Sequence, residues 1–164
     1  MMSRLASYKL AAVCCCFLAL AACSKKTTPD LEAGDGGAGQ AKPGSEQDFT
    51  VNVGDRIYFS EDKSVLSSEA QETLRRQAQW LQQYGNVSVQ VEGHADERGT
   101  REYNISLSAR RATAAREFLI SQGVTGGRIS SIAYGKERPV ALCDAEQCWS
   151  QNRRAVTVIT GGAN

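Results

Sequence analysis

Between residues 56 and 160 the spacing of apolar residues switches repeatedly between alternation and a helical period of about 3.6. A chain whose buried faces alternate in that way has to build a sheet with helices laid against it. Val87, Val89 and Val91 alternate with Ser88, Gln90 and Glu92, the pattern of a strand with one buried face. Arg56 to Phe59 reads as a short earlier strand, Ile129 to Tyr134 as a third, and Ala155 to Thr160 as a fourth. Ala70, Leu74, Ala78 and Leu81 mark the inner face of a helix; Ser67 or Ser68 caps it, with Ser68 and Gln71 spaced as a capping box, and Gly85-Asn86 stops it. A second helix is predicted from about Ser106 to Gln122, with Leu107, Arg111, Ala115, Phe118 and Leu119 along one side and Gly123 as its stop. Gly93 to Tyr103 reads as a polar loop, and a long loop holding Cys143 and Cys148 precedes the last strand. The order is βαβαββ. It implies an α+β fold, a small mixed four-stranded sheet with the helices packed on one face and parallel pairing across each strand-helix-strand crossover.

Ahead of this region the chain changes character. Met1 to Lys9 carries Arg4 and Lys9 and no acid, and Leu10 to Ala22 is an unbroken apolar run of 13 residues closing on small ones. The run is shorter than the ~20 residues needed to cross ~30 Å of hydrocarbon, so residues 1–22 read as a secretory signal peptide. Leu20-Ala21-Ala22-Cys23 has the form of a bacterial lipobox, with Cys23 expected to carry palmitate-type acyl chains on its sulfur and on the amino group freed by cleavage. The alternative is an ordinary small-residue cleavage site with an incidental cysteine. One acyl chain anchors marginally and two or more hold firmly. Ser24 after the cysteine, with no Asp there, resembles the pattern sorted to the outer membrane, which would leave the domain in the periplasm. From Ser24 to about Gln47 the only large apolar residue is Leu31, so residues 23–47 read as a lipidated cysteine and a flexible tether, and 48–164 as one domain. About 25 such residues have an average reach of ~25 to 30 Å.

Without Arg4 and Lys9, the 19 basic residues become 17 against 18 acidic ones. No polyanion-binding surface follows, which argues against nucleic acid as a partner. Cys14, Cys15 and Cys16 leave with the signal and Cys23 is the lipid site, so Cys143 and Cys148 remain as an even pair that reads as a periplasmic disulfide. A Cys-x4-Cys metal site would lack partners, since His94 is the only histidine and structural zinc takes four ligands. No metal or cofactor is expected.

The strand ending at Glu92 runs into Gly93-His94-Ala95-Asp96-Glu97-Arg98-Gly99-Thr100, then Glu102-Tyr103-Asn104, then Leu107-Ser108-x-Arg110-Arg111-Ala112. Here, over roughly residues 53 to 160, the sequence resembles the OmpA-like peptidoglycan-binding family. The resemblance implies a small sandwich-like domain that grips the peptide stem of peptidoglycan through meso-diaminopimelate, a zwitterion with an ammonium and carboxylates. It puts Asp96 on the ammonium and Arg111, 15 positions on, as a planar fork on a carboxylate. Arg98, Phe59, Asp62 and Leu107 fall at further cleft positions, and Asn104 braces the loop or touches the ligand. Unpaired N–H groups near Ser106 to Ser108, in the expected first helical turn, would add anion affinity. Asn152-Arg153-Arg154 enters the last strand, where one arginine would pair with an acid beside the cleft.

By the same resemblance the chain would be part of the Tol envelope and cell-division system. Its partner there would be that system's periplasmic propeller protein, whose surface overlaps the peptidoglycan cleft, so the two ligands would exclude one another. Together with the expected lipid on Cys23, the resemblance implies a non-covalent anchor between the outer membrane and peptidoglycan, and two other readings stand beside it. One is an interaction module whose main ligand is a protein; the other is a periplasmic hydrolase using His94. The sequence around His94-x-Asp96 identifies no nucleophile, so His94 is expected to brace its loop by a hydrogen bond and the chain not to be an enzyme. Asp96 and Arg111 read without the resemblance could be a solvated surface pair worth 0 to ~1 kcal/mol. No exposed apolar face or zipper pattern is visible, so a monomer is the expectation.

Overall fold

The structure is a computed structural model that describes residues 41–164. The expected signal peptide, Cys23 and most of the tether lie outside the described residues. The elements in chain order are α1 (Glu46–Asp48), a π-helical turn (Phe49–Val53), β1 (Arg56–Tyr58), α2 (Ser68–Gln83), β2 (Ser88–Gly93), α3 (Arg101–Ser121), a 3-10 turn (Gly126–Arg128), β3 (Ile129–Ala133), α4 (Glu146–Asn152) and β4 (Arg154–Gly161). The four strands form one sheet in the order β1-β4-β2-β3. β2 pairs parallel with β3 across the α3 crossover as expected, but β1 and β2, expected to pair across the α2 crossover, are parted by β4, which runs antiparallel to both.

Val89 and Val91 are fully buried while Ser88, Gln90 and Glu92 are half-buried, so the alternation in the sequence is the two-sidedness of the sheet. The buried side meets Leu74, Ala78 and Leu81 of α2 and Ala112, Ala115 and Leu119 of α3. Phe49 and Trp80 close one end with ring centroids 4.9 Å apart, and Trp80 Nε1 donates to Asp48 Oδ2 at 2.8 Å. Gln77, buried in this layer, is satisfied by donating to Gly54 O at 2.7 Å and accepting from the Thr157 hydroxyl at 2.8 Å.

Several local expectations are corrected. The α2 cap is Ser67, whose hydroxyl accepts from Ala70 N, and Gln71 instead donates to Leu66 O at 3.3 Å, so the Ser68-Gln71 box does not form. α3 starts at Arg101, five residues before the expected Ser106, because Thr100 Oγ1 accepts from Tyr103 N and turns the end of the polar loop into helix. The loop with both cysteines contains α4, too short for its apolar period to register. Residues 44–47, tether by composition, touch the fold: Ser45 caps α1 and Asn164 N donates to Gly44 O at 3.2 Å.

The topology has a local consequence. β4 begins between the exits of β1 and β2, where Phe59 N donates to Arg153 O and His94 N to Arg154 O, each at 2.9 Å. Three segments distant in sequence, 59–63, 94–99 and 153–154, therefore converge at one rim of the sheet.

Candidate functional site

Gly93 sets how the 94–99 loop leaves β2. An added Cβ there would lie 1.9 Å from the Ser108 carbonyl oxygen, so only glycine lets α3 run this close under the end of the strand. Beyond it, Ala95 N donates to Gly135 O at 2.8 Å, and Gly135 N donates to Ser108 Oγ at 2.9 Å. The loop is thus pinned between α3 and the turn after β3 before it reaches Asp96.

Asp96 is nearly buried and meets two arginines. Arg98 Nη2 donates to its Oδ2 at 2.7 Å, and Arg98 Nε and backbone N reach Oδ1 at 3.3 and 3.2 Å. Arg153 Nη1 stands 3.4 Å from Oδ2. Burial alone would raise the Asp96 carboxyl; the hydrogen bonds and charge of Arg98, with Arg153 behind it, hold it below the usual carboxylate range. Arg98 also donates to Glu61 Oε1 at 2.8 Å, and its guanidinium lies 4.0 Å over the Trp149 ring. Asn104 Nδ2 donates to Arg98 O at 2.7 Å, the loop brace the sequence suggests.

A small pocket of about 150 Å³ opens against these groups, lined by Glu61, Asp62, Asp96, Arg98, Gly99 and Tyr103. Asp62 takes a φ of 52° and accepts from the Tyr103 hydroxyl at 3.2 Å. With three carboxylates and one guanidinium the pocket suits a cationic group such as an ammonium. Tyr103 and Glu61 complete it and were not singled out from sequence. Glu61 adjoins Asp62, and Tyr103 sits in the quoted Glu-Tyr-Asn step, so proximity to the motif was the only signal for either.

Arg111 lies beneath the pocket, not in its lining. It is completely buried and donates from Nε to Lys63 O at 2.8 Å, from Nη1 to His94 O at 2.9 Å and from Nη2 to Ser60 O at 3.2 Å. Its guanidinium carbon is 5.2 Å from the centroid of Phe59, which is buried too, as is Leu107. Burial pushes Arg111 down to about 10, so it stays charged at neutral pH. Arg153 is the strand-entry arginine that finds an acid: besides Asp96 it pairs with Glu146 of α4 and donates to Phe59 O at 3.1 Å.

Two expectations fail here. Ser106 to Ser108 lie inside α3 and not in its first turn, so their N–H groups are not offered to an anion. His94 does not brace the loop with its ring: among the described residues neither ring nitrogen has a hydrogen-bond partner, and the bracing runs through its backbone. Glu92 Oε2, 3.6 Å from Nε2, is too distant for a hydrogen bond. Burial, with repulsion from Arg154 and Arg138, pushes His94 down to about 3, so the ring is neutral and its proximity to Glu92 is not an ion pair. With neither ring nitrogen hydrogen-bonded, no hydroxyl or thiol among the described residues is in place for this imidazole to activate. Cys143 and Cys148 form the expected disulfide, with their Cα atoms 5.6 Å apart. Among the described residues no group of three or more His, Cys, Asp or Glu side chains could hold a metal.

The model of the OmpA family matches residues 58–153. The peptidoglycan-associated lipoprotein of Mesorhizobium japonicum is 61% identical over 149 residues, covering 90% of this chain and 89% of its own. That of Pseudomonas aeruginosa is 44% identical over 126 residues, covering 76% and 74%. The crystal structure of the peptidoglycan-associated lipoprotein from Burkholderia pseudomallei matches with a TM-score of 0.67 at 34% identity, over 71% of this chain and all of that one. Sequence, relatives and fold agree on a structural protein without catalytic chemistry, and the chain belongs to the OmpA family.

Proposed function

We propose that this protein anchors the outer membrane to peptidoglycan without covalent linkage, held in the membrane by acyl chains on Cys23 and at the wall by the Asp96 cleft. The observation that carries this reading is the small anionic pocket around Asp96 and Asp62, in a chain 61% identical to a protein named for its association with peptidoglycan. The ligand is the peptide stem, read through meso-diaminopimelate. Its ammonium enters among Asp96, Asp62 and Glu61, and its carboxylate meets Arg98, the arginine at the pocket surface. Arg111 has five N–H donors, three of them committed to carbonyls, and it reaches a carboxylate only when the Ser60–Lys63 turn lifts away. Phe59 and Leu107 support the cleft from the core side, and Asn104 fixes the Arg98 carbonyl.

The partner in the periplasm is the propeller protein of the Tol system, which competes with peptidoglycan for this rim, so that the tether switches between wall and partner during envelope constriction. The test is co-sedimentation of the full chain, in detergent micelles, with purified sacculi. Wild type should pellet, Asp96→Asn should not, and a soluble diaminopimelate-containing stem peptide should release the wild type. Failure of a folded wild-type chain to pellet refutes the anchor and leaves a protein as the main ligand. Pelleting unchanged by Asp96→Asn refutes the site. Simultaneous saturation by peptide and propeller protein refutes the competition.

A further inference from the structure

We infer that Trp149 is a positioning residue for the cleft: from the disulfide-bracketed helix α4 it holds the Arg98 guanidinium, and through it the Asp96 carboxylate, in the orientation that meets the ligand. The ligand itself rests on the function proposed above; the positioning does not.

Helix α4 has only seven residues and no side-chain cap at Ala145, so it needs tertiary contacts to stand. They are supplied on both sides. The Cys143–Cys148 bridge ties its first turn to the chain before it. At its other end Asn152 Oδ1 accepts from Val140 N and Ala141 N at 2.8 and 3.2 Å, while Nδ2 donates to Ala141 O at 2.8 Å. The helix is therefore a clamped strap lying beside the 94–99 loop.

What the strap grips are the two arginines on Asp96. Glu146 pairs with Arg153. Trp149 lies under Arg98 at 4.0 Å, and its indole N–H donates to Glu97, the residue between Asp96 and Arg98. An arginine must fix its whole flexible stem to offer two nitrogens to one carboxylate. Glu61, an exposed partner, constrains one guanidinium nitrogen only. The ring adds a plane that shields one guanidinium face from water and leaves the edges free for carboxylates. Losing a contact of this kind should weaken stem-peptide binding about three- to tenfold.

The test uses the full chain in detergent micelles, as wild type, Trp149→Ala, Trp149→Phe and the double variant Cys143→Ser/Cys148→Ser. Three readouts are taken: the Asp96 carboxyl titration by 13C NMR, affinity for a soluble diaminopimelate-containing stem peptide, and the unfolding midpoint. Trp149→Ala and the disulfide variant should raise the Asp96 midpoint toward the ordinary carboxylate value and weaken the peptide. Trp149→Phe, which keeps a stacking face, should restore both. An unchanged Asp96 titration in folded Trp149→Ala overturns the inference, as does an equal defect in the Phe and Ala variants. If wild type binds no peptide while Trp149→Ala still moves the Asp96 titration, the positioning stands and the ligand assignment falls. Peptide binding abolished by Asp96→Asn but untouched by Trp149→Ala leaves the assignment standing and overturns the positioning.

Discussion

Arg111 is expected to be a folding residue before it is anything else, and Arg111→Met measures this. Methionine fills much of the same volume without a charge or a donor. The substitution removes three charge-assisted hydrogen bonds to the carbonyls of Lys63, His94 and Ser60. At about 1.5–3 kcal/mol each, the gross loss is about 5–9 kcal/mol. Against it stands the cost of keeping a guanidinium buried. A fall from 12.5 to about 10 corresponds to about 3 kcal/mol, which the variant recovers. The net loss should be about 2–6 kcal/mol, a large share of a domain stability of about 5–15 kcal/mol. With a urea slope of about 1–3 kcal/mol per molar, the denaturation midpoint should drop by at least about 0.7 M. Arg111→Lys should sit close to Arg111→Met, since one ammonium cannot serve three carbonyls arranged around a plane. A midpoint within about 0.3 M of wild type for Arg111→Met, where about 1 kcal/mol or less is lost, would refute the three-carbonyl account. The same reasoning makes binding loss in an Arg111 variant uninformative unless its fold is checked.

Gly93→Ala should destabilise by about 3 kcal/mol or more, since its Cβ would lie 1.9 Å from Ser108 O and either α3 or the strand end must shift; denaturant unfolding reads it. For His94 the folded value of about 3 lies below the ordinary 6.5, so the unfolded chain binds the extra proton. The stabilisation is complete above 6.5 and lost as pH falls toward 3. That is about 2 kcal/mol gone by about pH 5 on that shift, and His94→Phe should flatten this part of a stability-pH profile. Asp96 is depressed, so its contribution is full above the ordinary carboxylate value and is lost progressively as pH falls from there through its folded value; NMR titration of the carboxyl reads the folded end of that window directly. Asp62→Ala should cost about 1 kcal/mol from the left-handed backbone as well as the Tyr103 contact, whereas Asp62→Asn tolerates that conformation and keeps an acceptor, a difference visible in unfolding midpoints.

The strand and helix alternation was legible because Val89, Val91, Leu74 and Leu81 face one core, and burial enforces their period. The start of α3 was not, because the cap at Thr100 competes with a polar run whose composition says loop, and capping is settled by one hydrogen bond. α4 escaped for a related reason: a disulfide, an asparagine and two ion-pairing side chains hold it, and none of them leaves a hydrophobic period. The motif put Asp96, Arg98 and Asn104 in one place, and they are together. The burial of Arg111 was hidden because a charged residue on an otherwise apolar helix face does not reveal which carbonyls wait for it. Ser60, Lys63 and His94 come together there only through the β1-β4-β2 strand order.

That strand order also bears on how the cleft would bind. Inserting β4 between β1 and β2 delivers Arg153 to Asp96, so the carboxylate is paired and ionised before any ligand arrives. Glu61 shares Arg98 with it, and Asp62 is held by Tyr103. A zwitterion of the kind proposed therefore enters a site whose charges already have partners and exchanges existing contacts for similar ones. Such an exchange gains little Coulomb energy, because each new pair replaces an old one. Its advantage is that the groups are fixed in advance, so little ordering remains to be done on binding. Affinity set by preorganisation is lost when the frame moves. The frame here is Gly93 under α3, the Arg111 carbonyl cluster and the α4 strap, and disturbing any of the three should weaken binding by displacing the groups around Asp96.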